Sequence, residues 1–117
     1  MNRSLLTLLI GILAVGCASS RLSDQERSKL DPQLVKLLSG EQVSESVLDA
    51  SLRADGTKEY GVIIRSTDVQ ALRSAGIRIG SVLGNVITAR VTLAELRTVV
   101  SLPTVRAVEI GSRNYPH

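Results

Sequence analysis

The hydrophobic positions of this chain fall into distinct regimes. Leu5 to Val15 is almost unbroken apolar sequence, residues 18–32 are dominated by Ser and charge, and from Glu59 onward short apolar runs alternate with helix-start signals. Tyr60-Gly61-Val62-Ile63-Ile64-Arg65 has the β-branched content of a strand. Thr67 with Gln70 reads as a capping box, opening a helix through Ala75 that buries Val69 and Leu72 and stops at Gly76. Ile77 to Leu83 predicts a second strand, Gly84-Asn85 a two-residue hairpin turn, and Val86 to Val91 a third strand. Thr92 with Glu95 is another capping box, whose helix buries Leu93, Leu96 and Val99 or Val100. Leu102-Pro103 breaks that helix, and Thr104 to Ile110 is the fourth strand.

The order is strand–helix–strand, hairpin, strand–helix–strand. Two right-handed crossovers joined by a hairpin predict an α+β fold, a ferredoxin-like βαββαβ sandwich over residues 59–111. Its sheet is expected to be four-stranded and antiparallel, with two helices on one face and the other face open. A short N-terminal helix precedes it: Asp31 caps, Pro32 occupies the first turn, Leu34, Leu37 and Leu38 form the apolar stripe and Gly40 stops it. Residues 17–32 read as a solvated tether and 33–58 as this helix followed by linker, with a helical turn near Val47 and Leu48. Residues 112–117 form a C-terminal tail.

Alternation along the strands assigns the two faces. Val62, Ile64, Ile77, Ile79, Ile87, Ala89 and Val91 point to the helices; Arg65, Arg78, Thr88 and Arg90 point outward with Ile63, Val82 and Val86. In the last strand Val105 with Ala107 and Val108 with Ile110 have opposite parity, the mark of a bulge, and Arg106 joins the outer set if Val105 faces inward. One arginine then stands on the open face of each strand. Such a face is either a solvated surface or a docking surface, where arginine among aliphatic residues suits a protein partner.

Composition narrows the chemistry. The only aromatics are Tyr60 and Tyr115, so the stacking platform of a base-binding sheet is missing, and nucleic acid is not the expected partner. One Cys (Cys17) and one His (His117) cannot supply a structural zinc site, and no cofactor or metal is expected. Asp68 and Glu95 sit at helix starts, where capping explains them better than acid–base work, so the chain is not expected to be an enzyme.

Residues 1–16 have a positive start at Arg3 and an apolar run too short to span a bilayer, which takes roughly 20 residues. They read as a secretory signal. Ala14-Val15-Gly16-Cys17 resembles the lipobox of bacterial lipoproteins, with Leu13 one place further from the Cys than usual. That resemblance implies cleavage before Cys17, diacylation of Cys17 and a lipid anchor in the cell envelope. Ala18 after the Cys implies the outer membrane, facing the periplasm, in a Gram-negative cell. Losing Arg3 with the signal leaves 13 basic side chains against 11 acidic ones, a mild +2.

The string from Tyr60 to Arg65 and from Ala71 to Val91, with Leu102 to Glu109, resembles the N-terminal prodomain of bacterial subtilisin-like serine proteases. Lys29 to Leu34 is similar to the helix that precedes this prodomain in large secreted members. The resemblance covers about residues 29–110. It implies a sheet face that docks on two surface helices of the protease, and a C-terminal tail that enters the substrate cleft like a product. Carried over by position, the docking face is Arg65, Arg78, Thr88 and Arg90, joined by Arg106. The strand end and tail are Glu109, Arg113, Asn114, Tyr115, Pro116 and His117. No catalytic Asp, His or Ser motif follows residue 110, so the expectation is a monomeric, membrane-anchored protein that binds a subtilisin-like protease in trans, as inhibitor or chaperone. The alternatives are a non-inhibitory interaction module on the same fold and a truncated prodomain.

Overall fold

The computed structural model describes residues 22–44 and 46–111. Its elements in chain order are α1 (Asp24–Lys29), α2 (Pro32–Leu38), β1 (Ala50–Leu52), β2 (Lys58–Ser66), α3 (Val69–Ser74), β3 (Arg78–Leu83), β4 (Val86–Val91), α4 (Leu93–Ser101) and β5 (Val105–Ile110). Among the described residues the fold is α+β, an open antiparallel sheet of five strands with four helices. None of these helices is long and apolar enough to cross a membrane.

β2 is the hub of the sheet. β4 lies along one side of it from Tyr60 to Arg65; on the other side β1 pairs with Lys58–Tyr60 and β5 with Val62–Ser66. β3 completes the sheet on the far side of β4. The path β5–β2–β4–β3 therefore holds two crossovers, β2–α3–β3 and β4–α4–β5, each spanning one intervening strand. The fifth strand, β1, corrects the four-strand expectation. Residues 50–52 lack the run of β-branched residues that marks a strand, and form one because the free edge of β2 offers unpaired backbone groups beside them.

Of the residues expected to form a tether, 22–32 are described, and they are built differently from one. Ser23 and Glu26 make a reciprocal capping box for α1, and Leu30 is buried. Leu30 bridges to Val108 in parallel, and the Asp31 N–H donates to the Val108 carbonyl at 3.0 Å. Lys29 Nζ donates to the carbonyls of Val100 and Leu102 at 3.2 and 3.0 Å, satisfying the end of α4. Arg97 on α4 returns the tie by donating to the Leu38 carbonyl at the end of α2, at 2.9 Å. Residues that look solvated one by one are thus fastened to the domain by backbone and helix-end contacts.

The main caps follow the sequence. Asp31 accepts from the Gln33 N–H with Pro32 in the first turn, Thr92 and Glu95 form the expected box, and Gly40 and Gly76 take φ of +84° and +85° just beyond their helices. At α3 the cap is Asp68, which accepts from the Ala71 N–H, rather than Thr67. Its carboxylate reaches N3, while Ser66 Oγ in turn accepts the Asp68 N–H and fixes the entry of the chain.

One apolar core lies between the sheet and its helices. It joins Leu30, Leu34 and Leu38 with Val62, Ile64, Leu72, Ile77, Ile87, Leu96, Val99, Val100, Val105 and Val108. Each such side chain contributes roughly 1.5–3 kcal/mol by leaving water. Val105 and Val108 both reach the core because the β2–β5 register slips at Arg65/Ser66, leaving Arg106 unpaired in a bulge. A second slip, between Ile79 and Ser81, corrects the facing of β3. Val82 there pairs with Ile87 on the helix side and Leu83 with Val86 on the open side, the reverse of strict alternation.

Candidate functional site: the open face of the sheet

The open face is ordered in rows by the register. Across its middle run Glu109, Ile63, Thr88 and Ser81; toward the hairpin turn run Ala107, Arg65, Val86 and Leu83. Toward β1 the row is Gly61, Arg90 and Arg78, with Gly111 packed against the Gly61 backbone. The structure thus places Arg65, Arg78, Thr88 and Arg90 on one face, as expected. Arg106 is exposed at the bulge of β5. Cys17, Arg113, Asn114, Tyr115, Pro116 and His117 lie outside the described residues, as does the whole signal segment.

Most of the charge on this face is spoken for within the molecule. Arg65 Nε lies 2.9 Å from Glu109 Oε2, a diagonal pair across β2 and β5 in which both side chains are half exposed. Two residues assigned to a partner are therefore partners of each other. Thr88 Oγ1 accepts the Ser81 N–H at 2.9 Å and lies 2.7 Å from the Ser81 hydroxyl, closing the gap at the β3 bulge.

Arg90 is fixed most firmly. Its Nη1 is 3.0 Å from Asp49 Oδ2, its Nη2 donates to the Asp49 carbonyl and to Ser51 Oγ, and its Nε is 3.1 Å from Glu59 Oε1. Glu59, with its side chain only 9% exposed, also takes Arg53 Nε at 2.7 Å. Arg53 then forks onto Glu95 on α4, at 2.7 and 3.1 Å. Hydrogen bonding from Arg53 holds the Glu59 and Glu95 carboxyls below their ordinary range, against the opposing effect of burial. The Arg53 guanidinium is pushed up by its hydrogen bonds to Glu95 and Glu59. At Arg90 burial pulls the value down, but the bonds to Asp49 and Glu59 outweigh it. Arg78 stands at the margin of this network, 67% exposed and 3.5 Å from Glu59.

The sequence reading missed Asp49, Ser51, Arg53 and Glu59. Glu59 was findable, since it shares the strand parity of Arg65 and so belongs on the open face. Asp49 and Arg53 carried no comparable signal, because Asp49 meets Arg90 and Arg53 meets Glu95 only across about 40 residues, and the nearer Arg53–Glu59 pair forms across the turn that joins β1 to β2. Between these groups the face has a shallow groove of about 270 Å³, lined by Gly61, Gly80 and Gly111 with Ile63, Thr88 and Arg90. A Cβ on Gly61 would stand 2.5 Å from Asp49 Oδ2, so glycine there is what lets the Asp49–Arg90 pair cross the strand. The surface offers neutral hydrogen-bonding groups, a few aliphatic side chains and one lightly held arginine. Comparisons with protein-family models, with curated proteins and with solved structures find no match for this chain.

Proposed function

We propose that this chain is an envelope protein, lipid-anchored through Cys17, whose βαββαβ domain is a ferredoxin-like docking module for a subtilisin-like serine protease in trans. The observation that carries the reading is the one-sided layering. The helices and core lie on one face of the sheet, and the other presents Ile63, Thr88, Val86 and Leu83 to the outside. A face of that kind suits a protein surface of two helices, as the resemblance to protease prodomains implies. The last strand ends at Ile110, and Gly111 follows it beside Gly61, at the margin of the same face. An extended tail binds by main-chain hydrogen bonds, with side-chain pockets adding selectivity.

The internal pairing of Arg65, Glu109 and Arg90 shifts the weight of docking to the neutral residues and Arg78. Reversing Arg90 to Glu would set a third carboxylate against Asp49 and Glu59 and test folding rather than binding. The suitable probe is Ile63→Arg, on the middle row. The full chain in mild detergent is titrated against a panel of subtilisin-like proteases, beside a chain ending at Gly111. Inhibition that is lost in both variants supports the proposal. No inhibition and no complex with any member of the panel refutes it and leaves an interaction module with another partner.

A further inference from the structure

The two ends of the domain differ in charge. One end collects the hairpin turn, the β2–α3 junction and the α4–β5 loop. There the Ser66 N–H donates to the Asn85 carbonyl at 3.0 Å, Ser66 pairs with Val105, and the Val105 N–H donates to the Leu102 carbonyl at 3.1 Å. The sequence is bare of charge from Ser81 to Ala89 and from Thr98 to Val105. Leu83 at the hairpin is 73% exposed, with Val82 beside it at 42% and Pro103 exposed on the neighbouring loop. Of the carboxylates near these loops, Asp68 and Glu26 are held in helix caps and Asp24 lies exposed on α1. The other end carries Arg53, Asp55, Lys58, Glu59, Arg78 and Glu95, around the β1–β2 turn and the starts of β2, β3 and α4.

The described chain also begins at the uncharged end. Leu22 packs against the core, and Ser23 and Glu26 share a surface cleft with Val100, Ser101 and Pro103. Leu22 lies five residues after Cys17, a reach of at most about 18 Å at ~3.6 Å per residue. We infer that the uncharged end is a lipid-facing surface. The domain stands on the membrane with the hairpin turn down, and Leu83 with Val82 enters the boundary between headgroups and acyl chains. This rests on the Cys17 anchor proposed above. The anchor selects the occupant: a connection this short keeps that end within reach of lipid and supplies the proximity that one leucine could not. Arg65 and Arg106 border the loops, where headgroup phosphates accept hydrogen bonds from guanidinium groups. The charged end stays in water, and the open face stands to the side, clear of lipid and accessible to a partner protein.

The chain has no Trp, so a single introduced tryptophan reports its own depth in lipid. Leu83→Trp and Leu52→Trp replace leucines of similar exposure, 73% and 68%, at opposite ends of the domain. Each full chain is made with its signal segment in a bacterial host and checked by intact mass for acylation of Cys17. It is then reconstituted into phosphatidylcholine vesicles with and without lipid brominated on its acyl chains. The emission of Leu83→Trp should shift to the blue and be quenched at least about twofold more strongly than that of Leu52→Trp, since an inserted apolar group lies roughly 5–10 Å inside the headgroup boundary. Acylated chains in which the two variants are quenched alike, or Leu52→Trp the more strongly, overturn the orientation and leave the anchor standing. Chains without the acyl mass overturn the anchor and the orientation together.

Discussion

Replacing Leu34 by alanine tests whether the N-terminal helices belong to the domain or merely lead to it. Leu34 is fully buried and lies in the same core cluster as Ile64, Val100 and Val108. Leu→Ala removes three carbons, about 2.4 kcal/mol at roughly 0.8 kcal/mol per buried methylene. A residual cavity of about 40 Å³ adds about 1 kcal/mol at ~24 cal/mol per Å³. The expected loss is therefore about 3.4 kcal/mol. For a domain of this size each kcal/mol moves the midpoint by about 4–8 °C, so the Tm should fall by roughly 14–27 °C. Thermal unfolding followed by far-UV circular dichroism reads this directly, with Lys36→Ala on the exposed side of α2 as the control. If Leu34→Ala melts within about 3 °C of the parent chain, α2 is not packed on the sheet and the core described above is wrong.

The ion network makes acid sensitivity a second expectation. The carboxyls of Glu59 and Glu95 are held low by Arg53, and that of Asp55 by the Thr57 N–H, so the unfolded chain binds more protons than the folded one as acid is added. Their contribution is complete above the ordinary carboxylate range and is lost as pH falls through the depressed folded values. Stability measured in urea should be nearly level from about pH 6 to 8 and fall below about pH 5; Glu59→Gln should lower the plateau and flatten the acid limb. An unchanged pH profile in that variant would show that the Arg53–Glu59–Arg90 cluster does not form in solution. Gly61→Ala places a methyl against Asp49 and Arg90 and should cost about 1–3 kcal/mol, read as a drop in the urea midpoint. A neutral result would mean that the pair crosses the strand elsewhere.

Local pattern was enough for the crossover elements. β-branched runs, the Gly84-Asn85 turn, the Thr92–Glu95 box and the Asp31-Pro32 start each act within a few residues, where covalent geometry and nearest-neighbour hydrogen bonds decide the conformation. Even the parity conflict between Val105 and Val108 announced its bulge. Tertiary structure decided whatever depends on a partner far along the chain. Ala50–Leu52 became a strand because β2 had a free edge, and Leu30 became core because the β5 edge accepted the chain beside it. The slip at Gly80 exchanged the facing of Val82 and Leu83, since one unpaired residue reverses the parity of all that follow. The arginines of the open face were legible as positions on strands. Their pairing was not, because Arg65 meets Glu109 and Arg90 meets Asp49 only once the fold brings residues about 40 apart to within 3 Å.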